Sequence, residues 1–250
     1  MALETRASPL MPELTLPPPF TLVRLRELGD AFAHAKSIAR EQGAGTLVYV
    51  GRFDLAEFAV VLEPDEPLRL ARRAFYAGMA ALADALTAHA QPETTIAIDW
   101  PDSISVNRGM VGGGRLAWPQ ETGEDETPPW LVFGAMIRTV SMTGAEPGLN
   151  PLVTALEEEG FSDAMSDQVV ESFARHFMVA IDAWQEHGFG AVARSYLERL
   201  PAEQGLRRDI DENGDLLIRR MGKSQVEHKK FLPKLAMPSW FDPESKGPRT

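Results

Sequence analysis

Between Asp99 and Gly114 the chain reads DWPDSISVNRGMVGGG, and its residue types there suit close contact with a ligand. Gly112, Gly113 and Gly114 lack side chains, so backbone N–H groups at these positions can approach a bound molecule closely. Trp100 and Pro101 offer a flat apolar wall, with the Asp102 carboxylate beside them. Arg115 is the first cation after the glycines. Asn107-Arg108-Gly109 can reverse the chain, because Asn and Gly tolerate positive φ. The competing reading is a bulged hairpin whose glycines make room for a neighbouring strand, and spacing alone favours it.

Other side chains narrow the chemistry. The 250 residues contain no cysteine, which excludes disulfides, thiolate metal sites and cysteine nucleophiles. His34, His89, His176, His187 and His228 lie in different segments without metal-ligand spacing, and the acidic runs at 124–126 and 157–159 read as solvated loops or helix starts, so no metal site is expected. The net charge of −11 excludes nucleic acid as a general partner. A local cluster, Arg219, Arg220, Lys223, Lys229, Lys230 and Lys234, reads as polar surface. No signal peptide is read at the N-terminus, and no apolar run approaches the ~20 residues a membrane span needs. A cytoplasmic home is expected.

The elements that position the glycine-rich stretch follow from pattern. Residues 1–19, ending in three prolines, predict an extended arm. FTLVRL, TLVYV, EFAVVL, TTIAI and WLVFGAMI predict strands. Asp30 is placed to cap a helix that Gly43 ends. Leu68, Ala71, Phe75, Met79, Leu82 and Leu86 form one apolar stripe, predicting a helix over 66–89. Val170, Phe173, Phe177, Ile181 and Trp184 predict a second, with Ser162 or Ser166 as its cap, and a shorter helix follows over 190–200. After Pro201, two short strands around Asn213-Gly214 predict a small β appendage. The domain reading is an arm over 1–19, a main domain over 20–200 and a small module with tail over 201–250. Strands and hairpins mixed with helices predict an α+β fold with a mixed β-sheet packed by helices.

The stretch IAIDWPDSISVNRGMVGGG resembles the segment of the biotin/lipoate protein ligase family that carries Trp-Pro, an Asn-Gly-type turn and a Lys-(Val/Ile)-(Ala/Gly)-Gly run. WLVFGAMI, EHGFGAVARSYLERL and DIDENGDLLIR are similar, in order, to later family segments, so the resemblance covers roughly 20–220. It implies the class II synthetase-like fold of these ligases. It also implies activation of biotin, lipoate or octanoate with ATP and Mg²⁺, then transfer to a lysine of a biotinyl or lipoyl carrier domain.

Carried over position by position, Trp100, Pro101, Gly112 and Gly113 match the family motif, and Asp102 and Gly114 adjoin it. The family lysine position is Met110, with Arg115 as candidate substitute, and the family's Arg/Gly-rich nucleotide loop falls at GRFDLA with the single Arg52. Asp99 stands at a second lysine position, Leu28–Ala31 at the family's Ser/Thr/Asn run, and Arg138 where the family has Asn. These departures leave a second reading beside the ligase: a catalytically silent ligand- or carrier-binding protein on the same fold.

Overall fold

The computed structural model describes residues 14–142, 152–161 and 166–249. Its elements in chain order are β1 (Thr21–Leu25), α1 (Ala31–Gln42), β2 (Thr46–Val50), β3 (Leu55–Leu62), α2 (Leu68–Ala71), α3 (Ala74–Thr87), β4 (Ile96–Asp99), β5 (Ser103–Val106), β6 (Gly109–Ala117) and β7 (Leu131–Arg138). There follow α4 (Ser166–His187), α5 (Phe189–Glu198), β8 (Leu206–Ile210), β9 (Leu216–Arg220), β10 (Val226–Lys229), α6 (Leu232–Leu235), β11 (Phe241–Asp242) and β12 (Gly247–Pro248). Seven strands form one mixed sheet in the order β1-β2-β3-β7-β6-β5-β4, parallel only between β1 and β2. The α+β fold expected from the pattern is the one found, small C-terminal strands included.

Alternation along the strands sorts side chains onto two faces. One face carries Leu47, Tyr49, Phe58, Val60, Phe133, Ile104 and Leu116, and packs on α3, α4 and α5 in the main core. Stacked rings of Phe133, Phe173 and Phe177 join the sheet to α4 at centroid distances of 5.7 and 5.4 Å. The other face carries Val48, Val50, Ala59, Val61 and Val132 against Ala31, Ala35 and Ala39 of α1. Small alanines let α1 lie close to the sheet. Its first turn is fixed by Asp30, whose side chain accepts from the Ala33 N–H at 2.8 Å, and its end by Gly43, as the sequence predicts.

Several expectations are refined. The apolar stripe over 66–89 folds as two helices, α2 and α3, with Arg72 and Arg73 at the break. These arginines pair with Glu124 and Glu66, so part of the acidic loop at 124–126 is bonded to this break rather than freely solvated. Ser166 starts α4, but its hydroxyl donates to the Arg52 carbonyl; Ser162 lies outside the described residues. Of the N-terminal arm, Leu14 is buried and Leu16 packs on the main core. The C-terminal module has a third strand, β10, and the segment after α6 forms a short β11–β12 hairpin that the sequence pattern does not announce.

The β5–β6 turn places Asn107 and Arg108 at φ 48° and 78°, so the left-handed pair is Asn-Arg, and Gly109 already belongs to β6. Further along, Ile104 and Ser105, adjacent on β5, pair with Gly112 and Met110 on β6, which leaves Val111 as the extra residue of a bulge. Gly112 sits at φ 150°, and a Cβ there would lie 1.9 Å from the Met136 carbonyl oxygen. Gly112→Ala is expected to lower stability by roughly 2–4 kcal/mol, from backbone strain plus overpacking, measured as a shifted denaturation midpoint. Gly190→Ala, where nothing lies within 4 Å of the added carbon, should leave the midpoint equal or higher.

Candidate functional site

The bulge has a direct consequence for charge. In a regular strand, residues five apart point to opposite faces. With Val111 inserted, Met110 pairs with Ser105, Gly113 with Met136 and Arg115 with Gly134, so all three fall on the α1 face. Val111 itself turns into the main core. Arg115 thereby reaches the same side of the sheet as position 110, which its spacing alone does not predict.

On that face Arg115 is a buried cation with few partners. Its guanidinium lies between the rings of Phe32 and Phe241, 4.2 and 4.6 Å from their centroids. Its one hydrogen bond among the described residues is from Nη2 to Asp30 at 3.4 Å, and its buried Nε has no partner. Burial lowers its pKa, against the nearby charges of Asp30 and Glu57. Glu57 is the second buried charge, with 2% of its surface exposed, and accepts from the Ala31 N–H at the start of α1 at 2.9 Å. Burial raises its pKa; the bond to Ala31 and the charges of Arg52 and Arg115 act the other way. Arg52 is closed on Asp54 through two bonds of 2.9 and 2.6 Å, and lies 3.9 Å from Glu57.

Trp100 and Pro101 are placed away from this group. Trp100 packs on the main core, and the Pro101 carbonyl accepts from the Tyr196 hydroxyl on α5 at 2.8 Å. Asp102 is 1% exposed and its carboxylate accepts from the Ser239 N–H and hydroxyl, both at 2.7 Å. Burial nonetheless raises its pKa. Met110 is tied by its backbone to 152–154: its N–H donates to Leu152 at 2.9 Å and its carbonyl accepts from Thr154 at 3.1 Å.

The glycines are covered. Trp240, fully buried, donates from Nε1 to the Gly114 carbonyl at 3.0 Å, and a Cβ on Gly113 would stand 2.4 Å from its ring. Arg138 holds the same C-terminal segment by donating to the Pro248 and Arg249 carbonyls at 3.0 and 3.1 Å. The sequence gives no local sign of this, because the contacts join residues more than 100 positions apart. The structure therefore brings together Arg52, Gly113 and Arg115 on one face with Asp30, Glu57 and Trp240 added. Trp100 and Pro101 stand on the other side. Among the described residues, no group of three or more His, Asp or Glu is placed to hold a metal ion, and no helix is long and apolar enough to cross a membrane.

Comparison with known proteins agrees with this architecture. The sequence profile of the Biotin/lipoate A/B protein ligase family matches residues 16–198. A biotin–[acetyl-CoA-carboxylase] ligase of Paracoccus denitrificans is 25% identical, over 76% of this chain and 85% of that protein. Among solved structures, a biotin protein ligase-like protein of unknown function from Silicibacter sp. TM1040 superposes with a TM-score of 0.73 at 26% identity, covering 87% of this chain and 96% of that one. The Aquifex aeolicus biotin protein ligase in complex with biotin and ATP shares the fold, with a TM-score of 0.59 at 14% identity over 84% of this chain and 99% of that one.

Glu57 gives a test of the site's electrostatics. A carboxyl whose folded pKa is raised contributes stability below its unfolded value of 4.5 and loses it as pH rises through the folded value. Glu57→Gln keeps an oxygen for the Ala31 N–H but cannot ionise. Relative to the parent, it is expected to gain stability between pH 4 and pH 8 in urea denaturation. A variant that loses ground over that range would contradict the assigned balance.

Proposed function

We propose that this chain, which belongs to the Biotin/lipoate A/B protein ligase family, is a divergent ligase-like protein that binds a small carboxylic acid on the α1 face of its sheet. In this reading it attaches that acid, of the biotin, lipoate or octanoate kind, to a lysine of a carrier domain. The observation that carries the reading is the Val111 bulge, which turns Arg115 onto the face where Met110 provides no charge. A guanidinium with an unpartnered buried Nε is a natural fork for a carboxylate. Gly113 supports the reading by letting the covering layer sit close to the strand at the same place.

ATP with Mg²⁺ supplies the activating adenylyl group to ligases of this kind. The residues around Arg115 fit the acid's carboxylate. Arg52 is neutralised by Asp54, and Glu57 and Asp30 add negative charge beside it. What the chain's own residues do is therefore limited to the acid: Arg115 orients the carboxylate, Phe32 and Phe241 fix the guanidinium, and Trp240 with Gly113 excludes water from the strand. The closure of Arg52 on Asp54 is the observation behind the second reading, a binding protein on this fold without ligase turnover.

Labelled biotin, lipoate and octanoate, each with ATP, Mg²⁺ and a biotinyl or lipoyl carrier domain, separate the two. Labelled carrier lysine is the expected result, with Arg115→Gln slowing it by roughly 100-fold, the usual loss when a preorganised charge is removed. Acid binding without any labelling would leave the second reading in place, and neither binding nor labelling would remove both.

A further inference from the structure

Arg115 and the glycines before it are closed in by the end of the chain. The Arg115 side chain is 12% exposed and its Nε is buried. Phe241 supplies one of the two rings that sandwich its guanidinium, and Trp240 lies against Gly113 on the same face of β6. That side of the site opens only if the segment carrying both rings is displaced.

The way this segment is held divides it in two. Its base is fixed: Phe231 is fully buried, with its ring centroid 4.6 Å from that of Tyr76 and its N–H donating to Asp215 at 2.9 Å, and Leu235 packs in the main core. At Met237 and Pro238 the hold ends. Met237 is 77% exposed, Pro238 has no N–H to donate, and a cleft of about 930 Å³ separates this stretch from α1.

Beyond the hinge, residues 239–249 form a body of their own. The β11–β12 pairing closes it, the Arg249 N–H donates to the Trp240 carbonyl at 2.8 Å, and Arg249 Nε donates to the Ser239 carbonyl at 2.9 Å. Within it only Trp240 and Pro248 are buried. Five hydrogen bonds latch it to the sheet: two from Ser239 to Asp102, one from Trp240 to Gly114, and two from Arg138 to the Pro248 and Arg249 carbonyls. Water can replace each of these partners on release, so no polar group is stranded. The strand surface left behind is glycine at positions 113 and 114, with no side chain to rearrange.

We propose that residues 238–249 are a lid, hinged at Met237–Pro238, that swings as one body off Gly113 and Arg115 to admit a ligand and closes behind it. The proposal deepens the acid-binding reading above and rests on it for what enters; the opening itself rests on the packing of the segment. It makes Ser239 and Trp240 the latch that sets how often the site is open.

Hydrogen exchange of the full chain, followed by NMR, tests the opening. The Trp240 indole N–H is expected to exchange at least ten-fold faster than the Phe231 amide and the amides that pair β7 with β6, because lid opening releases it and leaves them bonded. Ser239→Ala, at an exposed residue, removes one latch bond and should speed that exchange further. Trp240→Phe removes another while keeping a ring over Gly113. Each variant should raise the rate of Arg115 modification by phenylglyoxal at least three-fold, with the exposed Arg40 of α1 as an unchanged reference. Indole exchange no faster than that of the β7 amides overturns the lid, as does an Arg115 rate unchanged in both variants or already equal to that of Arg40 in the parent. Fast indole exchange and latch-dependent modification, with no octanoate bound in calorimetry, would remove the acid-binding reading and leave the lid.

Discussion

Strand β6 is compressed between two layers, and much of the molecule follows from that squeeze. On one face a side chain at Gly114 would meet Met79 and Phe133 of the main core; on the other a side chain at Gly113 would meet Trp240. Only glycine lets a strand be packed this closely from both sides. The loss of side-chain contacts is offset by the large apolar groups brought in, a fully buried tryptophan on one side and a phenylalanine cluster on the other. The bulge at Val111 belongs to the same arrangement, since it re-phases the strand so that glycines meet the bulky neighbours and Arg115 meets the α1 face.

The covering layer is built from the end of the chain. α1 covers β2, β3 and β7 with alanines and meets β6 at Arg115 through Phe32, leaving β5 and the rest of β6 to another cover on that side. Ser239, Trp240 and the β11–β12 hairpin close the gap, anchored on Asp102, Gly114 and Arg138. Each anchor joins a buried or half-buried polar group to backbone, so the segment satisfies groups that would otherwise be costly to bury. Asp102 illustrates the balance. Burial raises its pKa, and two hydrogen bonds from Ser239 oppose the shift.

What the sequence made legible was local. Asp30 as cap, Gly43 as stop, the apolar stripes of α3 and α4 and the paired strands β2 and β3 all follow from periodicity over a few residues. The glycine-rich hairpin could be located, but its facing could not, because a single inserted residue reverses every side chain after it. Nor could the role of Trp-Pro: Pro101 is fixed by Tyr196, 95 positions away. The cover over Gly113 is still less visible, since Trp240 stands in a short loop-like run with no periodicity and finds its partner 126 positions earlier. Arg138 was legible as a departure from the family's asparagine, and its bonds to Pro248 and Arg249 give that departure a structural reason.

The charges on the α1 face also constrain what such a site can bind. Arg52 and Arg115 face Asp30, Asp54 and Glu57, so the group has no positive surplus to offer a polyanion. It is also uneven. Arg52 is spent on Asp54 in a two-bond fork, whereas Arg115 retains unpaired donors between two aromatic faces, a low-dielectric setting in which a single opposite charge interacts strongly. The face therefore carries one closed ion pair and one cation with an unpaired donor, where a glycine- and arginine-rich loop would give several open cations.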